Sequence, residues 1–564
     1  MRKPADLAYG VEEIPPLSVI LVMAIQHVLV VAVNLVNPLL LARYAGLSDD
    51  VTADMIRLGM VALAVGLLLQ ATRRGPVGCH YLAPMVFVAP MLAPGFLAVQ
   101  TGGMPLFWGM TMVAGLVTLG FASVWGRLRT LIPPELAGLV VFLVGGLLGI
   151  AALRMLLQDN GTLRATDASL ALMTLAVMIA VNVWGKGRVR LFSVIVGMVV
   201  GSVAALLVGG AQADKLRAVA QLPLLELPGL DHMGWSFDAH FIVPFAVASL
   251  ACAMVTTAIV TSFQRVTDAD WVRPDMGSIA AGIRGDGVGT LVAGALCTYG
   301  QAISPSNAGL VTATGVASRV IAYPAAGLLL LGAVVPAIAG SLILLPVSTL
   351  AAALLFPASF MMISGVQIFT SRVLDARRAL VIGLGILTFI LDSVAPEAMS
   401  GAPDWLQPIV GTPLVLATLV ALGLNLVFRI GIRRKVDFPM QMGTTTTEQM
   451  EDFVTRNAAI WGARQDTVGR VKFVLMETID VVSELADRAH PVTLSLTYDE
   501  FDIDLTVSWR GEVFELRDAP PTQSELLQER GHHLLSGFLI RRRTDRASST
   551  REDGTCTLRL KFKQ

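Results

Sequence analysis

The sequence predicts a polytopic α-helical membrane protein carrying a small soluble α/β domain at its C-terminal end. Composition is the first observation. Of 564 residues, 54% are apolar and only 15% charged, and mean hydropathy is +0.68. Soluble domains carry about 25% charge, so a soluble enzyme is excluded. The second is the charge distribution. Residues 1–435 hold 26 of the 42 basic residues, and the last 129 hold 16. The third is a series of long uncharged runs. Basic and acidic residues balance at 42 each, so no global charge points to nucleic acid. Cys79, Cys252, Cys297 and Cys556 lie far apart, without a CxxC pair. They read as small packing residues, and no metal site, cofactor or disulfide framework is expected.

Residues 1–17 do not read as a signal peptide. Arg2 and Lys3 are followed by Asp6, Glu12 and Glu13, and no small-residue cleavage site follows a short apolar core. Ser18 to Ala42 is a 25-residue run without a formal charge, and about 20 apolar residues span a bilayer. Further spans are expected near 54–72, 77–96, 104–124, 134–153, 168–185, 191–210, 239–263, 276–299 and 303–318. Val320 to Ser371 runs 52 residues uncharged. It is expected to turn between Pro336 and Pro346 and to count as two spans. Spans at 379–395 and 409–428 bring the total to fourteen. With the N-terminus inside, alternate loops receive 20 basic residues on the cytoplasmic side and 6 outside. This bias obeys the positive-inside rule and places both termini in the cytoplasm.

Two spans read badly as plain helices. One carries Gly75-Pro76-Val77-Gly78-Cys79-His80-Tyr81-Leu82-Ala83-Pro84 after Arg74. The other carries Tyr299-Gly300-Gln301-Ala302-Ile303-Ser304-Pro305-Ser306-Asn307-Ala308-Gly309. They are the third spans of two seven-span halves, and an odd number per half makes the repeats inverted. Interrupted segments at matching places point to a midplane site in a transporter; ordinary Gly/Pro kinks are the alternative. Candidate polar groups are Gln26 and His27 in span one, His80 and Tyr81 in the first break, and Ser249, Thr256 and Thr257 in span eight. Asp286 in span nine and Ser304, Ser306 and Asn307 at the second break complete the set. An intramembrane carboxylate is a functional candidate by default. A helix starting at Pro305 offers free N–H groups to a flat, polar ligand, and Tyr81 is placed to stack on it. His27 also suits a helix–helix bond, and the threonines bonds to their own backbone.

Ser306-Asn307-Ala308-Gly309-Leu310-Val311-Thr312-Ala313-Thr314-Gly315 resembles the signature of the nucleobase–ascorbate transporters, the xanthine/uracil permease family. Asn307, Gly309, Thr314 and Gly315 fit it, while Ser306 departs at the first position. Gln26-His27 is similar to the family's Gln-His in span one, Asp286 to its span-nine carboxylate, and Gly78-Cys79-His80-Tyr81 to its span-three segment. The resemblance covers about residues 15–430. It implies fourteen helices in two inverted seven-span repeats, split into core and gate domains and often dimeric. It also implies alternating-access transport of a nucleobase, a purine such as xanthine or urate, in a bacterial inner membrane, with proton or sodium coupling. Tyr81, His80, Ser249, Ser304, Ser306 and Asn307 would bind substrate; Gln26, His27, Asp286 and Thr314 would serve coupling or structure. Ser249 stands where the family usually carries a Glu, which puts proton coupling and the usual base specificity in doubt, with His80 as a possible compensation. The alternative is a ligand sensor or a regulated anion transporter on the same fold. Neither reading is an enzyme.

The sequence divides into a membrane domain, 1–435, a linker, 436–447, which includes four consecutive threonines, and a cytosolic domain, 448–564. Helices are expected at 448–461, 467–489 and 522–541, and strands at 492–497, 501–507 and 555–562. This order, with Arg530-Gly531-His532-His533-Leu534-Leu535 and Gly554-Thr555-Cys556-Thr557-Leu558, resembles the histidine-kinase-type ATPase domain of anti-sigma factors. Val481 stands where that domain's magnesium-binding Asn belongs, and Ser508-Trp509-Arg510-Gly511 where Asp-x-Gly contacts adenine. The resemblance therefore implies a regulatory or dimerisation module with a cytosolic protein partner and no nucleotide.

The charge bias makes a direct prediction. Cysteines introduced at positions 46 or 215 should react with an impermeant maleimide from outside the cell, and those at 188 or 450 should not. External labelling at 450 would reject the fourteen-span topology.

Overall fold

The computed structural model describes residues 2–563 except 6, 73–74, 129–132, 158–161, 186–191, 209–218, 220, 272–273, 371–373, 396, 398–400, 404–405, 429–433, 441–445, 462, 464, 488, 499–501, 529 and 553. Arg74 of the first break, residues 444–445 of the threonine run and the test positions 188 and 215 lie outside these residues. Two compact units divide the chain. The first takes in Met1–Ile132, Leu136–Ile368 and Ile382–Ala421; the second takes in Pro133–Glu135, Phe369–Val381 and Leu422–Gln564.

Apolar helices build the first unit. In chain order they are α1 (Leu17–Tyr44), α2 (Asp49–Ala71), α3 (Leu92–Leu128), α4 (Pro134–Leu156), α5 (Ala165–Trp184), α6 (Ser193–Leu207), α7 (Ile242–Thr267) and α8 (Met276–Ala295). After α9 (Pro305–Thr314) come α10 (Ala322–Val334), α11 (Pro336–Ile343), α12 (Val347–Phe369), α13 (Ala376–Val394), α14 (Gln407–Val410) and α15 (Pro413–Phe428). Helix ends follow local chemistry. Ser48 accepts from Val51 N at the start of α2, with Asp49 and Asp50 in the first turn, where carboxylates meet the positive dipole end. Helix α3 breaks at Gly103, two residues before Pro105. The turn expected between Pro336 and Pro346 is largely helix α11, set at 75° to the helix before it.

Among the described residues, seven helices are long and apolar enough to cross a membrane, or eight with that bent pair. The expectation of an all-α membrane part needs correction. Met85–Phe87 forms strand β1 and Gln301–Ile303 forms strand β2, paired antiparallel with Met85 opposite Ile303 and Phe87 opposite Gln301. Each strand interrupts a span. Backbone groups that leave a helix inside an apolar medium must find other partners, and here the two breaks supply each other.

The second unit contains a five-stranded antiparallel sheet in the order β3-β4-β5-β7-β6. Its strands are β3 (Arg434–Met440), β4 (Val492–Tyr498), β5 (Asp502–Arg510), β6 (Arg546–Glu552) and β7 (Thr555–Lys563). Helices α16 (Thr447–Trp461), α17 (Gln465–Leu485), α18 (Gln523–Leu526) and α19 (Gly531–Arg543) accompany it. The strands alternate. Val492, Leu494 and Leu496 are buried with Ile503, Leu505, Val507, Leu558, Leu560 and Phe562, and Val454, Val471, Val474 and Leu475 of the helices join the same core. One apolar face against helices and one polar face is the expected reading of period-two strands. Three expectations change. The linker at 436–447 is shorter, because Val436, Phe438 and Met440 alternate inward and pair with Leu496, Leu494 and Val492. The helix expected at 522–541 is two pieces. Strand β6 has Ala547 as its single apolar residue and gave no apolar alternation to read.

A soluble fragment starting at residue 448 lacks β3 and exposes the backbone edge of β4. It should melt about 10 °C or more below a fragment starting at 434, because Met440 and parts of Val436 and Phe438 leave the core. Equal melting temperatures by circular dichroism would return 436–440 to the linker.

Candidate functional site

The site is assembled from the two breaks and the helices that hold them. Helix α9 starts immediately after β2. Pro305 occupies its first turn, Ser304 caps it by accepting from Asn307 N at 3.2 Å, and Gly315, at φ 66, closes it in the left-handed conformation. Proline at the start and glycine at the end suit a short, well-delimited helix. The N-terminal residues bind its far end, where Tyr9 N donates to Gly315 O and Ala317 N to Tyr9 O.

Asp286 organises the polar interior. Its Oδ1 accepts from Gln70 Nε2 at 3.0 Å and from Ile303 N at 3.1 Å, and its Oδ2 accepts from Thr256 Oγ1 at 2.5 Å. One buried carboxylate thus joins α8 to α2, α7 and β2. Gln70 extends the network, donating also to Gly282 O at 2.9 Å and accepting from Cys79 N at 2.9 Å. A Cβ at Gly285 would lie 2.4 Å from Gln70 Nε2, so a side chain there would displace the Gln70 amide from this network. Gln301 Nε2 bridges Ala62 O and Gly289 O at 3.0 and 2.8 Å, while Asn37 Nδ2 donates to Phe87 O at 2.9 Å. Both breaks are therefore tied by side-chain amides as well as by each other.

The second feature is a pair of buried groups with capacity to spare. His27 Nδ1 lies 2.6 Å from Asn307 Oδ1. With the amide oriented this way, Nδ1–H donates and the neutral ring presents Nε2 as an acceptor. His27 Nε2, Asn307 Nδ2 and Gln26 Oε1 are buried without hydrogen-bond partners among the described residues. Buried polar atoms without partners are costly. A planar ligand with both donors and acceptors on its edge matches this set. Ser306, Gly309 and Thr312 form the exposed face of α9, and a Cβ at Gly309 would meet nothing within 4 Å.

The remaining expected residues divide. Thr256 belongs to the Asp286 network, whereas Thr257 and Thr314 bond their own backbones, to Ala253 O and Leu310 O. Ser249 is fully buried and donates to Ala114 O at 3.1 Å, so its hydroxyl faces α3. His80 takes a left-handed φ of 68. Its ring nitrogen bonds Thr72 O at 2.5 Å and its N–H donates to Gln70 O. It terminates α2 and makes none of the contacts of the His27–Asn307 pair. Tyr81 stacks on Phe263 with centroids 5.5 Å apart, so one ring face is already covered. Gln70, Gln301 and Asn37 were not singled out by the sequence. Their signal was available: each is an amide in an otherwise uncharged run, where such groups need internal partners.

Two interrupted spans, paired through short strands and joined to buried polar groups inside an apolar helical unit, define a polytopic membrane transport protein. The chain belongs to the Permease family, whose model (Xan_ur_permease) matches residues 18–398. Two relatives from Escherichia coli strain K12 are each 26% identical. Xanthine permease XanQ aligns over 79% of this chain and 98% of its own length, and xanthine permease XanP over 75% and 95%. Among solved structures, the murine anion transporter Slc26a9 in its inward-facing state covers 77% of this chain and 72% of its own, with a TM-score of 0.51 at 10% identity. That likeness concerns the fold alone. The chain is an integral membrane protein and not an enzyme.

Asp286→Asn replaces an acceptor-only group by one carrying an amide, which cannot satisfy all three donors. A buried donor left without its partner costs about 1–3 kcal/mol. The variant should melt well below wild type in detergent, and Thr256→Val, which removes one donor, should fall between. Unchanged melting of Asp286→Asn would remove the carboxylate from this structural role.

Proposed function

We propose that the chain is a secondary active transporter of a nucleobase, most consistently a purine such as xanthine or urate, in a bacterial inner membrane. The single observation that carries this reading is the His27–Asn307 pair at the start of α9. It offers a donor, Asn307 Nδ2, and an acceptor, His27 Nε2, neither with a protein partner among the described residues. An oxopurine edge alternates acceptor and donor in the same way. The names of the two E. coli relatives support the substrate class. The architecture supports alternating access, because interrupted spans are the arrangement around which one helical bundle can rock against another. Antiparallel pairing of the two breaks supports inverted repeats, and with them the fourteen-span topology with both termini cytoplasmic.

The proposed substrate contacts are Asn307, Ser304 and Ser306, with Gln26 and His27 behind them and Asp286 and Thr314 holding the scaffold. Tyr81, His80 and Ser249 are kept as supports of the site. Coupling to protons or sodium, contact with lipid and homodimerisation complete the proposal. The C-terminal domain acts as a protein-contact module without nucleotide, because Val481 and Trp509 are buried in its core at or beside the places where ligand-binding polar groups would be needed. A sensor reading remains as the alternative, favoured by Ser249, whose hydroxyl is committed to Ala114 O where a coupling carboxylate would serve transport.

Uptake of radiolabelled xanthine into proteoliposomes tests the proposal. Saturable uptake, competed by unlabelled urate, is expected. Asn307→Ala should raise KM at least about fivefold, since a lost bond with a buried partner left unpaired costs about 1–3 kcal/mol. Binding without uptake would establish the sensor. Neither binding nor uptake of any base would overturn the nucleobase assignment.

A further inference from the structure

Three metal-ligating side chains of the C-terminal domain converge although they are 48 residues apart in sequence. Glu484 stands at the end of α17; His532 and His533 occupy the first turn of α19. His532 Nε2 lies 3.3 Å from Glu484 Oε1, and His533 Nε2 lies 2.9 Å from Glu484 Oε2. The two imidazole centroids are 4.3 Å apart at 64°, and one ligand atom from each residue falls within 4.8 Å of the others.

A tetrahedral zinc ion with bonds near 2.0–2.1 Å holds its ligand atoms about 3.3 Å apart, a spacing within reach of three ligand atoms that already lie within 4.8 Å of one another. Two imidazole nitrogens and a carboxylate oxygen form a donor set suited to borderline divalent metals and poorly suited to magnesium. The supporting frame is fixed. Glu477 lies two helical turns before Glu484 on α17, so it shares that face, and its Oε2 accepts from Ser536 Oγ of α19 at 2.7 Å. The pair of helices is thus already tied on the side from which the triad projects. His533 is largely covered, with 13% of its side chain accessible, while His532 and Glu484 are half exposed. Solvent therefore reaches the point where the three atoms meet.

We propose that Glu484, His532 and His533 form a binding site for a divalent transition metal, with zinc as the representative ion, which bridges α17 and α19. Three protein ligands leave a fourth position for water or for a side chain of a partner protein.

The test uses the full-length, tag-free protein in detergent, stripped with a chelator. Zinc is titrated in competition with a chromophoric chelator. One equivalent per chain with micromolar or tighter affinity is expected, insensitive to millimolar magnesium. His532→Ala/His533→Ala and Glu484→Gln should each weaken it at least tenfold, with an unchanged size-exclusion profile. Cobalt added to the unaltered protein should develop, at one equivalent, the visible absorption of a four- or five-coordinate nitrogen–oxygen site, so the outcome does not depend on the variants folding. The absence of a saturable equivalent would overturn the proposal. So would zinc affinity unchanged in both variants, which would place the ion elsewhere, for example at His240 and Asp238.

Discussion

The Asp286 carboxylate makes three hydrogen bonds, and each goes to a different segment. Gln70 comes from α2, Thr256 from α7, and the Ile303 amide from the strand that leads into α9. A carboxylate accepts through both oxygens and carries no donor of its own, so it can satisfy three converging N–H and O–H groups at once. A neutral amide in the same place would bring two donors into a cluster of donors. Inside an apolar helical unit no water is at hand to correct that mismatch. The position of β2, and therefore the direction in which α9 begins, depends on this one ionisable group.

From there the site follows by short steps. Strand β2 pairs with β1, which fixes the first break against the second. Gln301 and Asn37 fasten the two strands to neighbouring helices. Ser304 and Pro305 then start α9 at a fixed point, and Asn307 arrives beside His27. The polar atoms left over, His27 Nε2 and Asn307 Nδ2, are held by a scaffold already satisfied elsewhere. Under the proposed function, that division separates groups that hold the fold from groups that would meet the cargo, so binding and release need not break the core.

Much of this was legible in the sequence, and the reasons for the rest are physical. Pro305 and the glycines around it announced an interrupted span because they weaken the interior of a helix, and Asn307 because a polar group in an apolar run needs a partner. Asp286 announced itself because an uncompensated charge in an apolar run is improbable. Gln70 and Gln301 did not, because nothing in the chain order says which amide will meet which carbonyl across more than two hundred residues. His80 invited a ligand role, yet its ring and its backbone N–H bond Thr72 O and Gln70 O, the carbonyls at the end of α2. Tyr81 offered a ring for stacking, and Phe263 takes one face of it. In the C-terminal domain the apolar strands were visible by alternation. Strand β6 was silent because Ala547 is its single apolar residue, and β3 was hidden by its closeness to the last apolar helix.

The central claim is that a planar base is held by Asn307 and His27 at the start of α9, on a scaffold fixed by Asp286. A cryo-electron microscopy map of the protein saturated with xanthine, at a resolution that resolves side chains, tests this most directly. Density for the base within hydrogen-bonding distance of Asn307 Nδ2 and His27 Nε2, with Asp286 still bound to Gln70, Thr256 and Ile303, is the predicted result. Ordered ligand density away from α9, or a map in which β1 and β2 are not paired, would contradict it.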